Sequence, residues 1–273
     1  MAGSRDQLPA FDNPPVIETL LGVQFVPLQS FSILHFGLYA REIFSEYPTH
    51  EIHPPLNPAL EDFGPSPSAG PRIGISVVAE PGLRCWFIDP TSTHLIQVQR
   101  DHFIRNWRKT KPDQVYPHYH HLRPRFQADW ERFCLFLQRE GIGTPEVNQC
   151  EVTYVNHIEL GKGWESYGET DKAIRLVSAP TAGGFLGQPE VVHVNTSYVM
   201  PEKKGRLHVV VQPVISRPLG KEVIQLTLTA RGRPAASGLR DLLEWFDLGH
   251  EWVVRGFAEL TTREMHAAWG RTS

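Results

Sequence analysis

The sequence predicts an α+β protein made of two similar units, each reading strand, connector, three strands and a long helix. Antiparallel sheets would be covered on one face by those helices. Three observations predict it. Segments of period-two alternation, rich in β-branched residues, are separated by short turn signals, which calls for antiparallel pairing. Residues 117–141 and 237–260 place apolar side chains at steps of three and four, as amphipathic helices do. The whole pattern runs once over residues 16–141 and again over 146–269. The expected division is a loose leader at 1–13, a first unit at 14–144 and a second at 145–273, packed as one compact body.

In the first unit, residues 16–28 alternate and read as a strand. Ser30 is placed to cap a helix in which Phe31, Leu34, Leu38 and Phe44 recur at helical spacing, ended by Pro48. Residues 54–71 carry prolines at positions 54, 55, 58, 65, 67 and 71. Proline lacks the amide donor that regular structure needs, so a surface loop is expected, mobile at its 64–70 tip. Residues 73–80 and 84–88 read as a hairpin around Pro81-Gly82, and Asp89-Pro90 turns the chain into a third strand at 93–103. A helix at 117–141 then aligns Leu122, Phe126, Trp130, Phe133, Cys134 and Leu137 in one stripe, ended by Gly141 and Gly143.

The second unit opens with a strand at 146–160. Its connector, 161–187, holds a short helix at 170–177 and a loop at 181–184. Strands are expected at 191–200, 205–216 and 222–232. Ser237 is placed to cap the last long helix, whose buried face is Leu239, Leu242, Leu243, Phe246, Trp252, Val253 and Phe257. A helical turn or two follows at 262–269.

Composition excludes several classes. The net charge is −3, from 27 basic and 30 acidic side chains, so no broad field draws nucleic acid or anionic lipid. The densest basic run, residues 105–111, reads as a solvated strand end. Cys85, Cys134 and Cys150 form no Cys-x-x-Cys pair, which removes the zinc-ribbon and thioredoxin-like motifs and fits a reducing cytoplasm. Residues 1–13 lack the apolar stretch of a signal peptide, and no apolar run reaches the roughly 20 residues of a membrane span. There is no phosphate-binding Gly-x-x-x-x-Gly-Lys loop, no Gly-x-Gly-x-x-Gly and no Gly-x-Ser-x-Gly, so no cofactor is expected.

Alternation also sorts each strand into two faces. The face away from the helices would carry Gln97, Gln99 and Asp101 on one strand and Thr153, His157 and Glu159 on another. His193 and Asn195, then His208 and Gln212, and finally Gln225, Thr227, Thr229 and Arg231 continue it. Such a face can hydrogen-bond a ligand or another chain. His157, His193 and His208 with Glu159 would form a metal or acid/base set if their strands were neighbours in register. His118 and His121, three apart, would share a helix face but lack further ligands. His250-Glu251 is no zinc-protease motif, because position 254 is Val254.

The chain resembles a family of uncharacterised proteins distributed sporadically among bacteria. The resemblance rests on Asn13-Pro-Pro-Val-Ile-Glu18 with Gly22-Val-Gln-Phe25, on Glu46-Tyr-Pro48, and on Gln97-Val-Gln-Arg-Asp101 through Asn106-Trp-Arg108. Tyr116-Pro117, Tyr154-Val-Asn156, Phe257-Ala-Glu-Leu-Thr-Thr262 and Trp269 complete it. It implies no catalytic residue. A patchy distribution implies an exchanged module, such as a defence or conflict accessory protein.

These readings point to a non-enzymatic binding or regulatory protein that meets another protein or a small ligand through the polar sheet face. Its expected contacts are Gln97, Gln99, Asp101, Arg108, His157, His193, His208 and Arg231. The first alternative is a metal-assisted or acid/base enzyme using His157, Glu159, His193 and His208. The second is a subunit that dimerises through its sheet.

Overall fold

A computed structural model describes residues 7–64, 82–177 and 185–273. The expected strand at 73–80, its Pro81 turn, the 65–71 prolines and the 181–184 loop lie outside those residues. The architecture is α+β. Among the described residues nine strands form one antiparallel sheet: β1 (Val16–Phe25), β2 (Thr49–His53), β3 (Arg84–Ile88), β4 (His94–Gln99), β5 (His102–Arg108), β6 (Val147–Glu159), β7 (Val194–Val199), β8 (Arg206–Ser216) and β9 (Lys221–Gly232). Their spatial order is β2-β3-β4-β5-β1-β6-β9-β8-β7. Outward from the central β1–β6 pair the chain therefore runs β5, β4, β3 on one side and β9, β8, β7 on the other. The sheet is continuous across both halves of the sequence.

Helices α1 (Ile33–Ile43), α2 (Tyr119–Arg139) and α3 (Leu239–Leu260) cover one face, and α4 (Arg263–Ala268) follows α3. The expected α2 stripe is buried at Leu122, Phe126, Trp130, Phe133 and Leu137, with Cys134 only half-buried. Phe103 and Phe25, on β5 and β1, meet Trp130 and Phe133 across the layer, with ring centres 5.0–6.4 Å apart. α3 lies close to the sheet because glycine faces it twice. A side chain at Gly249 would come within 3.0 Å of Val152, and one at Gly256 within 2.6 Å of Leu207.

The structure corrects four local expectations. The strand read at 93–103 is two strands, β4 and β5, reversed at Arg100-Asp101. The backbone of those two turn residues pairs with Phe25 and Leu28 at the end of β1. A two-residue turn preserves alternation, so the pattern did not mark it. The run at 105–111 is correspondingly not a solvated end, since Arg105, Asn106 and Trp107 are buried in β5. α1 buries Phe36, Tyr39 and Ile43, whereas Leu34 and Phe44 are exposed. Both series have helical spacing, and only the contact of Tyr39 with Phe87, Phe133 and Phe136 selects between them. The connector helix is a 3-10 turn at Tyr167–Lys172 rather than a helix at 170–177.

β2 was not foreseen. Both expected caps also move by a residue or two, and α2 starts two residues later than expected. Ser32 precedes α1, with its amide donating to Nδ1 of His35 (2.9 Å). Gly238 precedes α3, leaving Ser237 to donate to the Val147 carbonyl (3.3 Å). His118 precedes α2 with φ +60°.

Candidate functional site

The polar residues do lie on the sheet face away from the helices. Gln225, Thr227, Thr229 and Arg231 alternate with the core residues Ile224, Leu226, Leu228 and Ala230. What the pattern could not show is a cover. Residues 54–64 cross this face as a strap. Its prolines at 54, 55 and 58 have no N–H, so the segment cannot add to the sheet as a strand. It is held by side chains instead. Gln99 treats Leu56 as a peptide would, accepting from its amide (2.8 Å) and donating to its carbonyl (3.0 Å). Gln24 accepts from the Ala59 amide (3.0 Å). Beyond β1, Glu61 takes Arg206 Nη1 (2.6 Å) and His208 Nε2 (2.6 Å), with Arg231 at 3.8 Å. The Arg206 guanidinium lies 4.2 Å over the Phe63 ring. Burial pushes the Glu61 carboxyl up, but these hydrogen bonds and charges outweigh it and hold it below its ordinary value.

The expected contact residues on the first half of the sheet are thus internal. Gln97, Gln99 and Asp101 are 5–7% exposed, which corrects their reading as solvent-facing groups. They bond one another and their neighbours, as buried amides must. Gln97 donates to Asn106 (2.8 Å), which donates to Glu18 (2.6 Å), while Gln99 donates to Asp101 (2.7 Å), which pairs with His102 Nδ1 (2.7 Å). Arg108, half-exposed, donates to the Ser92 carbonyl (2.8 Å) and lies 5.7 Å over the Trp86 ring. Arg231 pairs with Glu151 (2.8 Å).

The histidines do not converge. His157 stands in register with Gln225 and Gln212, but His208 stands with Thr229 and Thr153, four residues along the strands. His157 is bonded to Ser216 (2.8 Å) and Gln225 (3.2 Å), and burial lowers its pKa. His193 precedes β7 and is exposed. Glu159 is taken by Lys221 and Lys162. Among the described residues no group of three or more His, Cys, Asp or Glu side chains is arranged to hold a metal ion. That removes the geometric basis for the His157–Glu159–His193–His208 set, and His118 with His121 acquires no further ligand.

A large cavity lies on the other face. A cleft of about 1080 Å³ opens between the start of α2, α3 and the incoming chain at 8–16. Phe11, Val16, Val253 and Phe257 give it apolar walls. Its polar floor is a chain of neutral groups. Tyr116 donates to the Tyr154 hydroxyl (2.7 Å), and that hydroxyl meets Nδ1 of His250 (3.0 Å). With the Tyr154 proton directed to Nδ1, the imidazole proton sits on Nε2, which has no hydrogen-bond partner among the described residues. The His250 ring stacks on Tyr119 at 3.9 Å, and the Tyr119 hydroxyl donates to Asp247 (2.8 Å), itself clamped by two bonds from Arg123 (2.7 and 2.9 Å).

Burial sets the protonation of this floor. It pulls His250 down to about 4, against a weaker upward pull from Asp247. It pushes the Tyr116, Tyr154 and Tyr119 phenols above their ordinary value, Tyr119 further by Asp247. At neutral pH His250 and the three phenols are uncharged and present dipoles, beside the Asp247–Arg123 ion pair and the charged side chains of Glu244, Glu251 and Arg255 in the lining. In the sequence, Tyr116, Tyr154 and Asn156 stand out only as points of resemblance and His250 only as an incomplete zinc motif. No local spacing links Tyr116 on a loop, Tyr154 on β6 and His250 on α3. No family model, curated protein or solved structure matches the chain.

Proposed function

We propose that this is a non-enzymatic binding protein, of an accessory or regulatory kind, that receives a small, mainly apolar ligand in the cleft between α2 and α3. The observation that carries the reading is the cleft itself, about 1080 Å³, with Phe11, Val16, Val253 and Phe257 as apolar wall, fixed tyrosine and histidine groups on its floor, and Glu244, Asp247, Glu251 and Arg255 also in its lining. Ligand sites have that make-up, with orientation set by a small number of hydrogen bonds. The neutral floor favours binding over catalysis. An imidazole with a pKa of about 4 is a weak base, and phenols raised by burial are weak acids. The Nε2–H of His250 suits a carbonyl acceptor on a flat, apolar molecule, and the Tyr119–His250 stack suits an aromatic one.

Ligand-observed NMR with 2-naphthamide tests this. Saturable binding is expected. Val254→Trp, which fills the cleft from α3, should abolish it. Tyr154→Phe should weaken it by about tenfold, because His250 loses its orienting bond. Binding unaffected by both substitutions would refute the assignment. The sheet-face reading keeps support on β8 and β9, where Gln212, Gln225 and Thr227 remain half-exposed beyond the strap anchors.

A further inference from the structure

A second cavity, of about 240 Å³, lies between the strap and the sheet, on the opposite face from the cleft. At liquid density it has room for about eight waters, or for one small organic molecule. Leu20, Ile104 and Leu56 line its middle, and Gly22 keeps that middle open: a side chain there would come within 3.2 Å of both Ile104 and Leu20. Apart from Val23, Ala59 and Cys150 its remaining lining is polar, and the polar groups are not balanced.

Gln149 is 4% exposed, and its Nε2 is buried without a hydrogen-bond partner among the described residues. The same holds for Nε of Arg84, whose Nη1 donates to the neutral amide oxygen of Gln97 (3.0 Å). The other charges in the lining are matched. Arg231 faces Glu151 at 2.8 Å, and His102 faces Asp101 at 2.7 Å. Arg84 is in ion-pair contact with no carboxylate among the described residues. The lining therefore offers a cation with an unused donor on β3, an apolar middle, and an unused neutral donor on β6. A buried donor left unpaired is unfavourable, so a molecule with acceptors at both ends recovers what the fold gives up.

We propose that this cavity is a binding site for a small aliphatic carboxylate that carries a neutral carbonyl at its far end. The carboxylate meets Arg84, the carbonyl accepts from Gln149 Nε2, and the chain between them lies on Leu20, Gly22 and Ile104. The strap closes over the ligand through Leu56 and Ala59, whose amides are already fixed by Gln99 and Gln24. The proposal is independent of the cleft between α2 and α3.

Calorimetric titration of the full chain with 5-oxohexanoate, hexanoate and 2-hexanone tests it, since the last two each lack one end of the first. The expected result is that 5-oxohexanoate binds at least about tenfold more tightly than either. Arg84→Met should erase its advantage over 2-hexanone, and Gln149→Leu its advantage over hexanoate. Val254→Trp, in the other cleft, should leave all three unchanged. Circular dichroism confirms that each variant is folded, and comparing three ligands on one wild-type protein keeps the test decisive if a variant does not fold. The proposal is overturned if the three probes bind alike, if none saturates, if both cavity variants bind normally, or if Val254→Trp abolishes binding. A crystal soaked with 5-oxohexanoate that shows only ordered water on Gln149 overturns it too.

Discussion

Asp129 is the carboxylate whose loss should cost most. It sits on the core side of α2, accepts from Arg105 Nε at 2.7 Å and from the Tyr47 hydroxyl at 3.2 Å, and both partners of the ion pair are nearly inaccessible, 4% and 6%. Asp129→Ala would strand the Arg105 guanidinium in the core. The expected loss is about 3–5 kcal/mol in urea unfolding, with most of it recovered when Arg105→Met is added, because the pair's own net contribution is small. A loss below about 1 kcal/mol would show that water reaches the pair. The exposed Arg240–Glu244 pair on α3, at 87% and 59%, should be removable without measurable effect. None of this was legible in the sequence. Asp129 is a polar position inside an apolar stripe, and Arg105 belonged to a run of basic residues that looked like a solvated end. The same limit hid Gln97 and Gln99. Alternation tells which face a side chain takes, but not whether a distant segment lies over that face.

At the scale of elements, what could be read was what depends on neighbours in sequence. The α2 stripe, the α3 face and strands β6, β8 and β9 came out with bounds within a residue or two, because their periodicity is long and unbroken. The β4–β5 reversal and the buried side of α1 were missed because two structures share one local pattern. The 54–64 stretch shows a third case. Its prolines correctly excluded helix and sheet, yet the segment is anchored rather than loose, and the anchors come from residues 24, 99, 206 and 208. This makes a test of the strap as an element. Glu61 is its distal clamp, so Glu61→Ala should release that end from Arg206 and His208. Amide exchange at Ala59 should then accelerate by at least about tenfold, while the β1 and β6 amides keep their protection. Unchanged exchange at Ala59 would mean that Gln24 and Gln99 hold the strap alone.

At the scale of the whole molecule, burying neutral histidines makes folding pH-dependent. His250 and His94 are both pulled to about 4, His250 by burial against Asp247, and His94 by burial reinforced by Arg105 and Arg125 and opposed by Asp89. His157, His118 and His266 are shifted the same way, by burial first. In the unfolded chain a histidine takes its proton near pH 6.5, so below that pH the unfolded state binds more protons than the native one. Stability is therefore complete above about pH 6.5, falls as the pH drops, and the histidine contribution is exhausted near pH 4. Glu18 opposes this, because burial raises its carboxyl and favours the protonated form in the fold. Glu61 and Glu159 act only lower, where the unfolded carboxylates begin to protonate. For His250 alone the shift corresponds to about 3 kcal/mol. Unfolding free energies measured in urea should drop between pH 7 and pH 4.5, and His250→Gln should flatten that drop while lowering the value at pH 7. A His250→Gln profile parallel to the wild type would mean that the ring takes its proton in the cleft as it does in the unfolded chain. The floor on which the binding reading rests would then begin to gain charge near pH 6.5 rather than near pH 4.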